Sequence, residues 1–131
     1  MTTPPSLAEI HGVNEETATE VHERVLRNEE LVLIDCREPT EWEYCRIDGA
    51  QLAPMSRFLQ FAPDLDPDIP TVIYCHTGVR SVFVASYLQN QGFAEVVSMA
   101  GGIDAWSREV DPTIPRYGHQ SGGPEHSCSA R

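Results

Sequence analysis

A short apolar run, Thr71-Val72-Ile73-Tyr74, stops at a cysteine, and no other feature of the chain restricts its fold as tightly. The β-branched residues read as a buried strand. A polar loop follows, Cys75-His76-Thr77-Gly78-Val79-Arg80, and a helix is predicted over Ser81–Asn90, ended by Gly92. Strand, tight loop and helix form the repeating step of an open α/β sheet, whose ligands sit beyond the C-terminal strand ends. Cys75 stands at such an end. Loop amides turned inward and the positive end of a helix dipole both lower a thiol pKa, which makes Cys75 a candidate thiolate nucleophile. Gly78 permits a φ > 0 bend, and Arg80, at Cys-x4-Arg spacing, brings a fixed cation toward an anionic ligand. The plain alternative is a buried, apolar strand-end cysteine. The glycine and the arginine together speak against it.

The rest of the chain supports the same architecture. Residues 1–6 read as a flexible lead, and Glu9–Val13 as a short first strand. Asn14 is a good N-cap for a helix over Glu15–Asn28, with Val21, Val25 and Leu26 as its apolar stripe. Leu31–Asp35 reads as a buried strand, Pro39-Thr40 as the start of a helical turn, and Ala50–Ala53 as a strand. Met55–Phe61 reads as a short helix closed by Pro63, and Glu95–Met99 as the last strand. Strands alternating with helices imply a parallel sheet covered on both faces. Trp42 and Trp106 read as packing residues. One domain is expected over 7–116. Residues 117–131 are polar and rich in glycine, which predicts a disordered tail. His119, His126 and Cys128 there match no metal-ligand spacing.

A formal net charge of −11 argues against nucleic acid and anionic membrane surfaces as partners. It also sets a difficulty for any anionic substrate, which a local cradle has to overcome. Cys36, Cys45, Cys75 and Cys128 fit neither a zinc site nor a disulfide scaffold, and reduced thiols in a cytoplasmic setting are expected. The N-terminal stretch has neither a basic region nor an apolar one, so neither a signal peptide nor a transmembrane segment is expected.

Cys75-His76-Thr77-Gly78-Val79-Arg80-Ser81 resembles the active-site loop of rhodanese-like sulfurtransferases. Three further segments resemble the family in the same order: Leu31–Arg37 its strand ending in Asp-x-Arg, Glu43–Ala50 its Glu-Tyr-x-x-Gly-His-Ile-Pro-Gly-Ala element, and Gly101–Trp106 its Gly-Gly-x-x-Ala-Trp helix start. The chain departs from the second element with Cys45-Arg46 for Gly-His and Asp48 for Pro. The resemblance implies a three-layer α/β/α sandwich with a five-stranded, mostly parallel sheet. It implies that Cys75 takes sulfane sulfur from a small anionic donor such as thiosulfate, becomes a persulfide, and passes the sulfur to cyanide, a thiol or a protein cysteine. No cofactor or metal is required. Arg80 would bind the donor or shape the loop, and His76, Thr77, Gly78 and Val79 would line the sulfur. Asp35 and Arg37 would bind substrate or form a structural ion pair. The family topology also sets Cys36 at the strand end beside Cys75, as a candidate resolving thiol, although alternation turns its side chain away from Asp35.

Two rival readings are a Cys-based phosphatase or arsenate reductase of similar broad fold and a non-catalytic rhodanese-like adaptor. The former clasps a tetrahedral oxyanion with Cys-x5-Arg spacing, one residue longer than the spacing here.

Overall fold

A computed structural model describes residues 3–118. Five strands form one sheet in the order β1-β5-β4-β2-β3, with every pairing parallel. They are β1 (Asn14–Glu16), β2 (Val32–Asp35), β3 (Gln51–Leu52), β4 (Thr71–Tyr74) and β5 (Val96–Met99). The helices are α1 (Leu7–Ile10), α2 (Ala18–Leu26), α3 (Pro39–Tyr44), α4 (Phe58–Phe61), α5 (Arg80–Asn90) and α6 (Gly102–Glu109). The chain is an α/β sandwich of the expected kind, with β4, the strand that leads into Cys75, at the centre of the sheet.

Side-chain alternation sorts the core into two layers. Ile34, Cys36, Ile73 and Cys75 join Val82, Ala85 and Leu88 of α5 on one face. Leu33, Val72, Tyr74 and Met99 join Val21 of α2 and Ile103 and Trp106 of α6 on the other. A central strand buried on both faces explains why Thr71–Tyr74 is continuously apolar and sharply bounded.

The N-terminal third departs from the sequence expectation. Residues 9–13 do not form a strand. Ser6 caps α1 through a reciprocal pair of bonds with Glu9, at 3.1 and 2.8 Å. The first strand is instead Asn14–Glu16, recruited to the sheet edge by pairing with β5. Asn14 is therefore not an N-cap. Thr17 caps the helix, its side chain accepting from the Glu20 amide at 3.0 Å while Glu20 accepts from the Thr17 amide at 2.8 Å. Of the expected stripe only Val21 is buried. Val25 is 43% and Leu26 67% exposed, because α2 meets α6 along Ala18 and Val21. Pro63 does not close a helix over 55–61. The segment is two single turns of 3-10 helix, Met55–Arg57 and Ala62–Asp64, flanking α4, and Pro63 sits inside the second turn. Trp106 is core, whereas Trp42 is half-buried with the Arg46 guanidinium 5.0 Å above its ring.

Residues 119–131, with His119, His126 and Cys128, lie outside the described residues. Composition assigns Tyr117 to the start of a tail, but it packs against the domain. Among the described residues no helix is long and apolar enough to cross a membrane.

The capping box predicts that Thr17→Ala lowers stability by about 1 kcal/mol. Urea unfolding should show a lower midpoint with an unchanged slope.

Candidate active site

Cys75 follows the last residue of β4, and its sulfur lies under the loop that turns into α5. The Gly78 amide donates to Sγ at 3.1 Å and the Ser81 amide at 3.4 Å, while Ser81 Oγ stands 3.5 Å away. Ser81 Oγ in turn bonds Ser98 Oγ of β5 at 2.7 Å, with both serines fully buried. These donors converge because Gly78 adopts φ +100°, which turns its amide inward where a residue with a Cβ would be strained. Cys75 itself is 1% exposed. The neighbouring Cys36 thiol first, and then hydrogen bonds from Ser81 and Gly78, outweigh burial and lower its pKa to about 5. The site therefore holds a thiolate at neutral pH.

A second helix end supports the loop from below. The Ile103 amide of α6 donates to the Cys75 carbonyl at 2.8 Å, and the Asp104 amide to the His76 carbonyl at 3.0 Å. This needs a very close approach. A Cβ on Gly102 would lie 2.4 Å from both carbonyl oxygens, at a backbone φ of +59°. Gly102 thus lets the start of α6 hold the Cys75 loop, while a Cβ on Gly101 would instead meet Ala105 of α6 itself.

The other expected site residues are spread around the sulfur. Gly78 is buried, Thr77 and Val79 are exposed, and His76 is half-buried. The His76 ring stacks on Tyr117 at 3.6 Å, and burial lowers its pKa, so it is neutral at physiological pH. Arg80, in the first turn of α5, does not point over the sulfur as a lone cation. It forms a two-toothed ion pair with Glu41 of α3, at 2.7 and 2.9 Å. Burial pushes the Glu41 carboxyl up, but bonds from Arg80, the Glu38 amide and Tyr117 overcome this and hold it at about 2.

Asp35 and Arg37 are both fully buried, and they bond one another at 2.7 to 3.1 Å. Asp35 alternates with Ile34 and Cys36 and so lies on the sheet face away from Cys75. Arg37 also donates to the Cys45 carbonyl and, at 2.6 Å, to the Tyr117 hydroxyl, which donates to Glu41 at 3.0 Å. Burial weakens the Arg37 charge, but Asp35 outweighs that and raises its pKa. Among the described residues no cluster of three His, Cys, Asp or Glu side chains is placed to hold a metal ion.

Glu41, Ser98 and Tyr117 join the site without being expected from the sequence, Ser81 gains a role beyond closing the loop motif, and Cys36 stands beside Cys75 as the family topology implies. Glu41 was within reach of the sequence. Counting the ten-place family element back from Ala50 starts it at Glu41-Trp42, two residues before Glu43-Tyr44. Ser81 closes the loop motif. Ser98 and Tyr117 carry no sequence signal, since strand pairing and a returning terminal segment bring them in.

Comparison with known proteins agrees with the fold. The model of the rhodanese-like domain matches residues 17–109. The chain belongs to this family. A rhodanese-like/PpiC domain-containing protein 12, chloroplastic, from Arabidopsis thaliana is 39% identical over 118 residues, which is 85% of this chain and 40% of that protein. The chain thus spans less than half the length of that relative. A thiosulfate sulfurtransferase GlpE from Glaesserella parasuis is 34% identical, over 75% of this chain and 94% of its own. A rhodanese-like domain protein from Staphylococcus aureus superimposes with a TM-score of 0.68 at 28% identity, covering 72% of this chain and 91% of its own.

Gly102→Ala should cost at least about 2 kcal/mol, because a positive φ and a backbone clash coincide. Gly12→Ala is the control: φ is +68°, with nothing within 4 Å of the added carbon. Equal losses of stability in the two variants would remove the close-approach argument.

Proposed function

We propose that this rhodanese-like chain is a sulfurtransferase that carries sulfane sulfur on Cys75. The observation that carries the reading is the convergence of the Gly78 and Ser81 amides on Sγ, which supports both a thiolate and the terminal anionic sulfur of a persulfide. The thiolate attacks the outer sulfur of a donor such as thiosulfate. A new S–S bond forms, the donor's own S–S bond breaks, and sulfite leaves with the electron pair. Cyanide, a small thiol or a protein cysteine then attacks the outer persulfide sulfur and releases the Cys75 thiolate. No step requires a metal or redox cofactor. Similarity to a protein named thiosulfate sulfurtransferase GlpE supports the donor class.

The remaining residues have supporting roles in this reading. His76, Thr77, Gly78 and Val79 form the wall of the sulfur cradle. Arg80 acts with Glu41 to tie the loop to α3, so its charge is largely answered before a donor arrives. Asp35 and Arg37 position rather than react.

The phosphatase reading needs an arginine that clasps a phosphate. The Arg80–Glu41 pairing and the Cys-x4-Arg spacing both weigh against it. The adaptor reading gives no reason for the lowered Cys75 pKa.

Incubation with thiosulfate should add one sulfur to Cys75 by intact mass, and Cys75→Ser should abolish both this adduct and thiocyanate formation. Release of phosphate from an aryl phosphate without sulfur transfer would replace the reading. Because the thiol pKa is lowered, the thiolate is present above it: the rate should be flat from neutral pH down to about 6. It should halve near pH 5 and fall about tenfold per unit below, where an ordinary thiol near 9 would already have lost activity at neutral pH. With a net charge of −11, kcat/KM for thiosulfate should rise with ionic strength, as screening removes repulsion. A fall would place an uncompensated cation at the entrance.

A further inference from the structure

Cys36 is a buried cysteine at the neighbouring strand end that the chemistry above does not use. The β2–β4 register aligns Asp35 with Tyr74, so the next pair along is Cys36 and Cys75. The Cys36 amide fastens the two strand ends by donating to the Tyr74 carbonyl at 3.0 Å. Both cysteines follow isoleucines, Ile34 and Ile73, by two residues and share their sheet face. Neighbouring strands lie about 4.8 Å apart, so side chains aligned on one face meet. Cys36 is 0% and Cys75 1% exposed, which keeps water from competing for the contact.

From this geometry we propose that Cys36 is a positioning residue whose S–H donates to Cys75 Sγ from the sheet side, opposite the loop amides. This rests on Cys75 being the nucleophile. The sulfur then has a donor beneath it as well as the Gly78 and Ser81 amides over it, and its attacking lone pair faces the loop mouth. Electrostatics agree: Cys36 is the leading influence that lowers Cys75, while Cys75 and burial drive Cys36 far up. A thiol held in its protonated form is a good donor and a poor nucleophile. That weighs for donation over the resolving role. The charged and titratable groups around the pair are Asp35 on β2, His76 in the loop and Arg80 on α5, the last neutralised by Glu41 of α3.

The test is a pH titration of thiolate ultraviolet absorbance on the full chain. Wild type, Cys36→Ala, Cys36→Val and Cys36→Ser are each read against the same chain carrying Cys75→Ser, so that Cys75 alone is followed. The apolar replacements should raise the Cys75 midpoint by about one pH unit or more, and Cys36→Ser, which keeps a donor, should stay nearer wild type. Coincident titrations of wild type, Cys36→Ala and Cys36→Val would overturn the proposal. So would a serine variant that shifts as far as alanine, since lost packing would then be the cause. A wild-type midpoint at the ordinary thiol value would instead sink the nucleophile reading itself. A second measurement leaves Cys36 intact. Its infrared S–H stretch should lie lower in wild type at neutral pH than in Cys75→Ala, and an unmoved band would also end the proposal.

Discussion

A guanidinium without access to water sits just past the end of β2, and the arrangement of that end of the sheet follows from how it is satisfied. Moving such an ion from water costs several kcal/mol after relaxation, so the position is tenable only with a close counter-charge and every N–H engaged. Asp35 supplies the charge two residues earlier, and the Arg37 amide donates to the same carboxylate at 2.9 Å. The remaining nitrogens hold the Cys45 carbonyl and the Tyr117 hydroxyl. Through Tyr117 the network reaches Glu41, and through Glu41 it reaches Arg80 and the nucleophile loop. A residue on the face away from Cys75 thus holds the loop around it by a continuous run of charge-assisted bonds.

An anionic sulfur in a strongly acidic protein needs local dipoles more than distant charge. The cation expected to provide attraction, Arg80, is paired by Glu41, and the neighbouring His76 is neutral. What remains is short-range: amides aimed at Sγ, a serine hydroxyl backed by Ser98, and the start of α5. The amides are fixed by the backbone, so in the proposed reaction they would need no rearrangement as charge moved from the thiolate to a persulfide. They are in turn held by α6, whose first amides occupy the loop carbonyls. Two helix ends therefore serve one cysteine, α5 acting on the sulfur and α6 on the chain that carries it.

Much of this was legible beforehand where the signal is local. The central strand, the loop and its helix are consecutive in sequence and carry their own punctuation, so Thr71–Tyr74 agrees to the residue and α5 begins one residue early. The N-terminal segment failed for a different reason. Asn14–Glu16 has no strand pattern and becomes β1 only because the edge of β5 offers hydrogen bonds, which displaces the cap from Asn14 to Thr17. Likewise, Asp35 and Arg37 advertise a motif, but the motif does not say on which face of the sheet they lie.

The sequence by itself determined the parallel sheet, the cysteine at the end of its central strand and the glycines that let backbone approach backbone, because each is a short-range consequence of residue type and spacing. Only the tertiary structure decided which charges meet and which thiols face one another. Glu41 meets Arg80 across 39 positions, and Tyr117 reaches Arg37 across 80. Cys36 lies beside Cys75 because two strands pair in register. Such contacts depend on register and on the packing of separate segments, and no local pattern encodes them.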